Sequence, residues 1–187
     1  LRPDPYDPEL AKKLLAEAGY PQGFGLTLHG PNNRYVNDFR IVEAIAQMWT
    51  RAGVKTQVET MPAATFFTRA VKGEFSIRLT GWASDTGEAS SNLTELVASS
   101  NPAKGRGAVF QPDRYKNDKV DEVIERSLTI IDTAQREAVY REAEKLAMPD
   151  YPVIPIHHQV NVWALRKGLV FHTRMQEGIR AWDIEPE

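Results

Sequence analysis

Three short runs of alternating apolar and polar residues, separated by two helical stretches, constrain the fold of this chain most strongly. Apolar residues at every second position are typical of strands that bury one face. The first intervening helix is predicted to begin with Asp38 as its cap and to end at Gly53, and the second runs from Pro62 to Gly73. Strands joined in this βαβαβ order lie parallel with right-handed connections, so the predicted fold class is α/β. The three runs are Phe24–His29, Val54–Thr60 and Phe75–Thr80.

Helices are predicted on both sides of this βαβαβ core. Before it, Asp7 and Gly19 are the residue types that begin and end a helix. After it, Asn92 and Glu95 have the spacing of a capping box, in which each side chain bonds the backbone amide near the other. Apolar residues from Val120 to Ile131 then fall on one stripe at helical spacing, which predicts another helix.

The last third of the chain changes from helical to extended character. Thr133 is expected to cap a helix that points Leu146, among other apolar residues, inward. Prolines between Pro149 and Pro155 exclude a regular helix and require an extended backbone. Alternation over Val160–Leu165 predicts a further strand.

The loop that follows the third run, from Trp82 to Asn92, is the predicted ligand site. Ligands of open parallel sheets bind beyond the carboxyl ends of the strands, and this loop starts at such an end. Trp82 offers an aromatic wall, and Asp85 offers a carboxylate that can pair with an ammonium group. From the residues alone two interpretations stay open: this ligand site, or a packed Trp beside a solvated or helix-capping Asp.

Composition and motifs exclude several classes of function. The chain has 187 residues and a net charge of −2, its basic residues are dispersed, and it has no cysteine. We therefore expect no nucleic-acid partner, no disulfide and no thiolate chemistry. No stretch approaches the roughly 18 apolar residues of a membrane helix. His157 and His158 are neighbours on an extended segment and point to opposite sides, so no metal site is predicted. No catalytic residue or cofactor is assigned, because no nucleophile, phosphate-loop or dinucleotide motif is present.

Five stretches carry a pattern that is known from one protein family. They are Tyr6–Pro21, Gly81–Asp85, Tyr115–Asp121, Asp132–Arg136 and Pro152–Ile156. In this order they resemble the family 5 extracellular solute-binding proteins, the dipeptide, oligopeptide and nickel group, over nearly the whole chain. The resemblance implies one lobe of a type II periplasmic-binding-protein-like clamshell, with a mixed sheet and flanking helices, in the periplasm or at the cell surface. Such a protein closes on its solute and delivers it to the permease of an ABC transporter.

The resemblance also implies an organisation of the chain. Residues 1–150 correspond to most of the second, C-terminal lobe, and residues 151–187 to an extended segment and tail that return toward the N-terminal lobe. The chain begins Leu1-Arg2-Pro3 without a signal peptide, so it is interpreted as a fragment that lacks the N-terminal lobe. An apolar surface that this lobe would cover is expected from Val153 onward.

The same resemblance implies roles for two residues of the loop. In peptide-binding members an Asp shortly after a Gly-Trp pair meets the α-ammonium group of the peptide. Asp85 matches that Asp by position, and Trp82 matches the neighbouring aromatic residue. The loop continues Thr-Gly-Glu-Ala-Ser-Ser-Asn, without the Asp-Pro that often follows in the family. The ligand is therefore expected to be a peptide or a peptide-like solute, with glutathione-like, opine-like, sugar and nickel ligands left open.

Two other functions are considered beside this binding protein, which would not be an enzyme. One is a small α/β hydrolase that uses the carboxylates of the Asp85 loop, with Glu88 as the second acid. The other is a ligand-sensing regulatory domain detached from a DNA-binding module. An activity screen against peptide and ester substrates would separate the first from a binding protein.

Overall fold

A parallel sheet organises the first part of the chain in the computed structural model, which describes residues 4–84, 86–104, 106, 115–174 and 178–187. Its elements are α1 (Pro8–Glu17), β1 (Phe24–Pro31), α2 (Asp38–Ala52), β2 (Val54–Met61), α3 (Ala63–Val71) and β3 (Ile77–Arg78). The strand order is β2-β1-β3, and both pairings are parallel. The three predicted runs therefore lie in one sheet, which confirms the α/β fold class and the βαβαβ core.

The two crossover helices cover opposite faces of this sheet. Leu28 packs with Val42 of α2, whereas Phe66 of α3 packs with Phe75 in a separate buried cluster. Neighbouring residues of a strand point to opposite faces, and His29 stacks on Phe75 while Leu28 packs toward α2. Each face of the central strand is thus closed by its own helix.

In this first part of the chain the helix ends follow the predicted signals with one exception. Asp7 accepts a hydrogen bond from the amide of Leu10 (2.9 Å), and Gly53 ends α2 in the left-handed conformation with φ 106°. Asp38, however, does not cap α2; it is the first residue of that helix, and Asn37 precedes it with φ 58°. The Asp38 carboxylate instead accepts hydrogen bonds from amides of the preceding loop.

The chain divides into two compact units, unit 1 (Leu1–Gly81) and unit 2 (Trp82–Glu187). The elements of unit 2 are α4 (Ser90–Asn92), a π-helical turn (Leu93–Val97), a 3-10 turn (Pro102–Lys104), α5 (Asp118–Ser127), α6 (Thr133–Ala147), a 3-10 turn (Met148–Asp150), β4 (Leu169–Phe171), a 3-10 turn (Ala181–Asp183) and β5 (Ile184–Pro186). Its core lies between α5, α6 and the π-helical turn and includes Val97, Ile124 and Ala143. A short antiparallel pair, β4 with β5, forms a second sheet.

Two predicted helix starts in unit 2 are wrong. The capping box of Asn92 and Glu95 does not form, because the helix begins two residues earlier, at Ser90, and both residues lie inside helical turns. Thr133 is the first residue of α6 rather than its cap. Asp132 takes the capping position and accepts from the amide of Gln135 at 2.8 Å.

Three further predictions about unit 2 also fail. Ile131 is 92% exposed, since α5 ends at Ser127 and the predicted apolar stripe runs on past the helix. Leu146 is exposed by 38%, and Ala147 fills the buried position beside it. Residues 160–165, predicted as a strand, belong to no strand of the described ranges, because their backbone has no ladder partner there. No described helix is long and apolar enough to cross a membrane.

Candidate ligand-binding site

The carboxyl ends of β1 and β2 are tied together in unit 1. The amide of Asn32, just after β1, donates to the carbonyl of Met61 at the end of β2 (3.0 Å). The side-chain oxygen of Asn33 accepts from the amide of Ala63, the first residue of α3, at 2.8 Å. These bonds hold the loop after β1 against the end of β2 and the start of α3.

Asp38 organises the remainder of that loop. Its Oδ2 accepts from the amides of Arg34 (2.8 Å) and Tyr35 (3.1 Å), and its Oδ1 accepts from the amide of Phe39 (2.8 Å). The carboxylate is buried, with 4% of the residue exposed, so the three donors supply the partners that a buried charge requires. Arg34 lies exposed, with its guanidinium carbon 4.9 Å from the centre of the Tyr35 ring.

Tyr35 fixes the segment that follows β3. Its hydroxyl accepts a hydrogen bond from the amide of Gly81 (2.9 Å) and donates to the carbonyl of the same residue (3.3 Å). A Cβ at position 81 would lie 2.9 Å from the Tyr35 ring, so this close approach requires glycine. The backbone is therefore fixed at the residue to which Trp82 is joined.

The loop of Trp82 in unit 2 is closed by its own hydrogen bonds. Trp82 is half-buried, and its indole N–H donates to the hydroxyl of Ser91 at 3.1 Å. The Ser84 hydroxyl donates to the carbonyl of Glu88 (2.7 Å). The structure thus describes Trp82 as a fixed aromatic side chain. The other predicted site residue, Asp85, lies outside the described residues.

Glu88 is bound by a cation and is not free to act as a second acid. Arg136 of α6 donates to both Glu88 oxygens, with Nε at 3.2 Å from Oε2 and Nη2 closer still to Oε1. This hydrogen bonding raises the pKa of the Arg136 guanidinium, so Arg136 stays charged at any physiological pH. The pairing removes the basis of the hydrolase interpretation, which needed Glu88 as a partner for Asp85.

The stretch Tyr115–Asp121, part of the family pattern, is structural. The Tyr115 hydroxyl donates to Oδ2 of Asp150 (2.8 Å), and the side-chain amide of Asn117 donates to the same oxygen (3.0 Å). Asn117 also caps α5, and Asp121 accepts from the buried amide of Ser99 at 2.8 Å. These contacts link the segment before α5 to the 3-10 turn after α6, and α5 to Ser99.

No three His, Cys, Asp or Glu side chains of the described ranges come together as they would to hold a metal ion. His157 and His158 were expected to point one inward and one outward, but both are exposed. Sequence reasoning missed Tyr35 and the loop contacts of Asp38 in unit 1, and it missed Arg136 in unit 2. Their partners lie in other elements or in the preceding turn, where periodicity carries no signal.

Comparison with known proteins gives consistent matches. Residues 1–104 match the model of the bacterial extracellular solute-binding proteins, family 5 Middle. Heme-binding protein A of Haemophilus influenzae is 33% identical over 164 residues, which cover 83% of this chain and 28% of that protein. The glutathione-binding protein GsiB of Escherichia coli K12 is 34% identical over 173 residues, covering 90% of this chain and 33% of the relative.

A solved structure gives the same result for the fold. The periplasmic binding protein DppA from Helicobacter pylori, in complex with the peptide STSA, superposes with a TM-score of 0.68 at 26% identity. The match covers 81% of this chain and 29% of that protein. The chain therefore spans about a third, or less, of the length of the relatives it matches.

Proposed function

Because this chain belongs to family 5 of the bacterial extracellular solute-binding proteins, we propose that it binds a peptide or peptide-like solute on behalf of an ABC transporter. The family consists of binding proteins rather than enzymes, and it acts in the periplasm or at the cell surface. A ligand-binding lobe needs no catalytic group and no cofactor, and its partner in the membrane would be the transporter's permease.

The observation that carries this proposal is the fixed, half-buried Trp82 in a loop that folds back on itself. An aromatic side chain held by a hydrogen bond from its indole N–H offers a rigid apolar wall at low entropic cost. GsiB is named for glutathione, and DppA was solved with a four-residue peptide. Each of these molecules has a free ammonium group, which a carboxylate beside an aromatic wall would suit.

Asp85 is the proposed carboxylate for that ammonium group. It follows Trp82 by three residues and matches the family position that meets a peptide's amino terminus. An ammonium group that leaves water loses its hydrogen bonds to water. A carboxylate replaces them with a charge-assisted hydrogen bond. We propose Trp82 as the wall and Asp85 as the anchor of one ligand.

Residues 151–187 are the proposed contact with the N-terminal lobe, and residues 1–150 the second lobe. Ile154, Ile156, Val160 and Val162 are 57%, 53%, 78% and 87% exposed, whereas Val153 and Trp163, which alternate with them, are half-buried. Among described residues, none of 152–158 or 160–165 has a backbone–backbone hydrogen-bond partner. A segment with exposed apolar side chains and few backbone partners suits a surface covered by another part of the protein.

Charge removal at Asp85 tests the function. In the full-length protein, Asp85→Asn keeps the shape of the side chain and removes its charge. We expect it to weaken binding of the free-amine peptide Ser-Thr-Ser-Ala, measured by calorimetric titration, by about 2–5 kcal/mol, because the ammonium group is left without a counter-charge. Trp82→Ala should also weaken binding, through lost contact area.

Asp118→Asn provides the matched control, since it removes the same charge from an exposed side chain of α5. It should bind the peptide as the unmodified protein does. Equal affinity of the Asp85→Asn variant and the unmodified protein, with both folded, would contradict the assignment. So would N-acetylated peptide that binds as tightly as the free amine.

A further inference from the structure

Arg136 holds the loop of Trp82 from outside that loop. It lies 48 residues beyond Glu88, in the first turns of α6, and donates a hydrogen bond to each oxygen of the Glu88 carboxylate. Its Nη1 also donates to the carbonyls of Ile130 (2.9 Å) and Ile131 (3.0 Å), which precede the helix. One guanidinium thus joins the Trp82 loop to the turn between α5 and α6.

Hydrogen bonds of the loop lie on both sides of Glu88, and one of them is made by Trp82. The carbonyl of Glu88 accepts the Ser84 hydroxyl at 2.7 Å, and the Ser84 hydroxyl lies 3.3 Å from that of Thr86. On the other side of Glu88, Ser91 accepts the indole N–H of Trp82 at 3.1 Å. Displacement of Glu88 would therefore disturb contacts on both sides of the loop.

We propose that Arg136 is a positioning residue, which acts through Glu88 to keep Trp82 in the conformation that binds the ligand. This inference rests on the proposed ligand-binding function. Only arginine suits the position, because it makes the two parallel bonds to a carboxylate and still reaches two carbonyls from one planar group. Asp132, which caps α6, places Arg136 one turn into the helix.

An ion pair between α5 and α6 shows what a purely surface pair looks like. Arg126 of α5 binds Glu142 of α6, with side chains that are 49% and 48% exposed, and has no bond to the described residues of the Trp82 loop. The side chains of Arg136 and Glu88 are only 20% and 29% exposed. Exposed pairs contribute little, so Arg126 is the matched control for loss of an arginine that has no positioning role.

The test measures ligand affinity and loop protection in the full-length protein. Arg136→Gln is expected to weaken binding of Ser-Thr-Ser-Ala about tenfold, and to speed amide hydrogen exchange across residues 83–92. Glu88→Gln should act in the same direction, whereas Arg126→Gln should change neither quantity. Affinity is measured well below the melting temperature of each variant, so that loss of stability alone leaves the dissociation constant unchanged.

Combination with Trp82→Ala separates positioning from general damage. If Arg136 acts through Trp82, adding Arg136→Gln to Trp82→Ala should weaken binding by less than about twofold beyond Trp82→Ala alone. If Arg136→Gln fails to fold, Arg136→Lys takes its place, because lysine keeps the charge but cannot make all four bonds.

Wild-type affinity of the Arg136 variant would overturn the inference, and so would a full tenfold loss in the Trp82→Ala background. Failure of the proposed function is a different result. There, Trp82→Ala and Asp85→Asn both bind the peptide as the unmodified protein does, or the unmodified protein binds no peptide at all.

Discussion

The two units of the chain differ in how they pair their extended backbone and bury their apolar side chains. In unit 1 the central strand β1 is paired on both sides, by β2 and β3, and its two faces are covered by α2 and α3. In unit 2 the helices α5 and α6 bury one core, but most apolar side chains of residues 152–165 are exposed. Unit 1 thus contains the partners of its central strand, whereas residues 152–158 and 160–165 of unit 2 have no backbone–backbone hydrogen-bond partner among the described residues.

The physical cause of this difference is the distance along the chain at which partners are found. Each crossover in unit 1 returns the chain to the sheet within one helix, so ladder and core form from neighbouring elements. The segment 152–165 has the alternation of a strand but no neighbouring strand among the described residues. Backbone groups of a segment without a ladder are available to a non-local partner.

Truncation of the two buried cores gives the largest expected effects. Phe66, in unit 1, and Ile124, in unit 2, are 0% and 1% exposed. We expect Phe66→Ala to cost about 3–5 kcal/mol and Ile124→Ala about 2–5 kcal/mol in free energy of unfolding, through lost burial and the cavities left behind. Urea unfolding of the chain measures both, and hydrogen exchange shows which unit loses protection. A cost under about 1 kcal/mol for Ile124→Ala would mean that unit 2 lacks a fixed core.

Alkaline pH should affect unit 2 through Tyr115. Burial, followed by the hydrogen bond to Asp150, raises the pKa of Tyr115 from its usual value of 10.0 to about 12. Because the fold favours the neutral phenol, its contribution is complete below pH 10 and is lost as the pH rises toward about 12.

Tyr115→Phe should therefore cost about 1 kcal/mol near pH 8, the usual contribution of one hydrogen bond, and progressively less above pH 10. Urea unfolding at pH 8 and at pH 11.5 would measure the change. Tyr6→Phe, at an 89% exposed tyrosine of unit 1, is the control and should have no effect at either pH. A cost that stays constant with pH would contradict the coupling.

Polar substitution of the exposed edge should have the smallest effect on the chain alone. Val160→Ser and Val162→Ser replace side chains that are 78% and 87% exposed, so each should change the free energy of unfolding by less than about 0.5 kcal/mol. In the full-length protein the same pair of changes should lower the melting temperature, because there the edge is proposed to be covered. Equal behaviour in both settings would show that nothing packs on this edge.

Local signals predicted unit 1 well and the site only in part. The alternation of Val54–Thr60 and the stop at Gly53 depend on neighbouring residues, and both are confirmed. The start of α6 was placed one residue late, because Thr133 and Asp132 are both good caps and only the geometry of the turn chooses between them. Asp85 was selected from its position after a strand and from a family pattern, and its role stays a prediction.

The sequence by itself determined the order of the elements in unit 1, the α/β class and the family, because periodicity, turn residues and short motifs are local. Tertiary structure alone decided which distant groups meet. Tyr35 reaches Gly81 across 46 residues, and Arg136 reaches Glu88 across 48. Nothing in the spacing of such residues encodes their pairing, since the contact exists only when separate elements pack. The sequence therefore identifies the loop that carries Trp82, whereas only the tertiary structure shows which groups hold that loop in place.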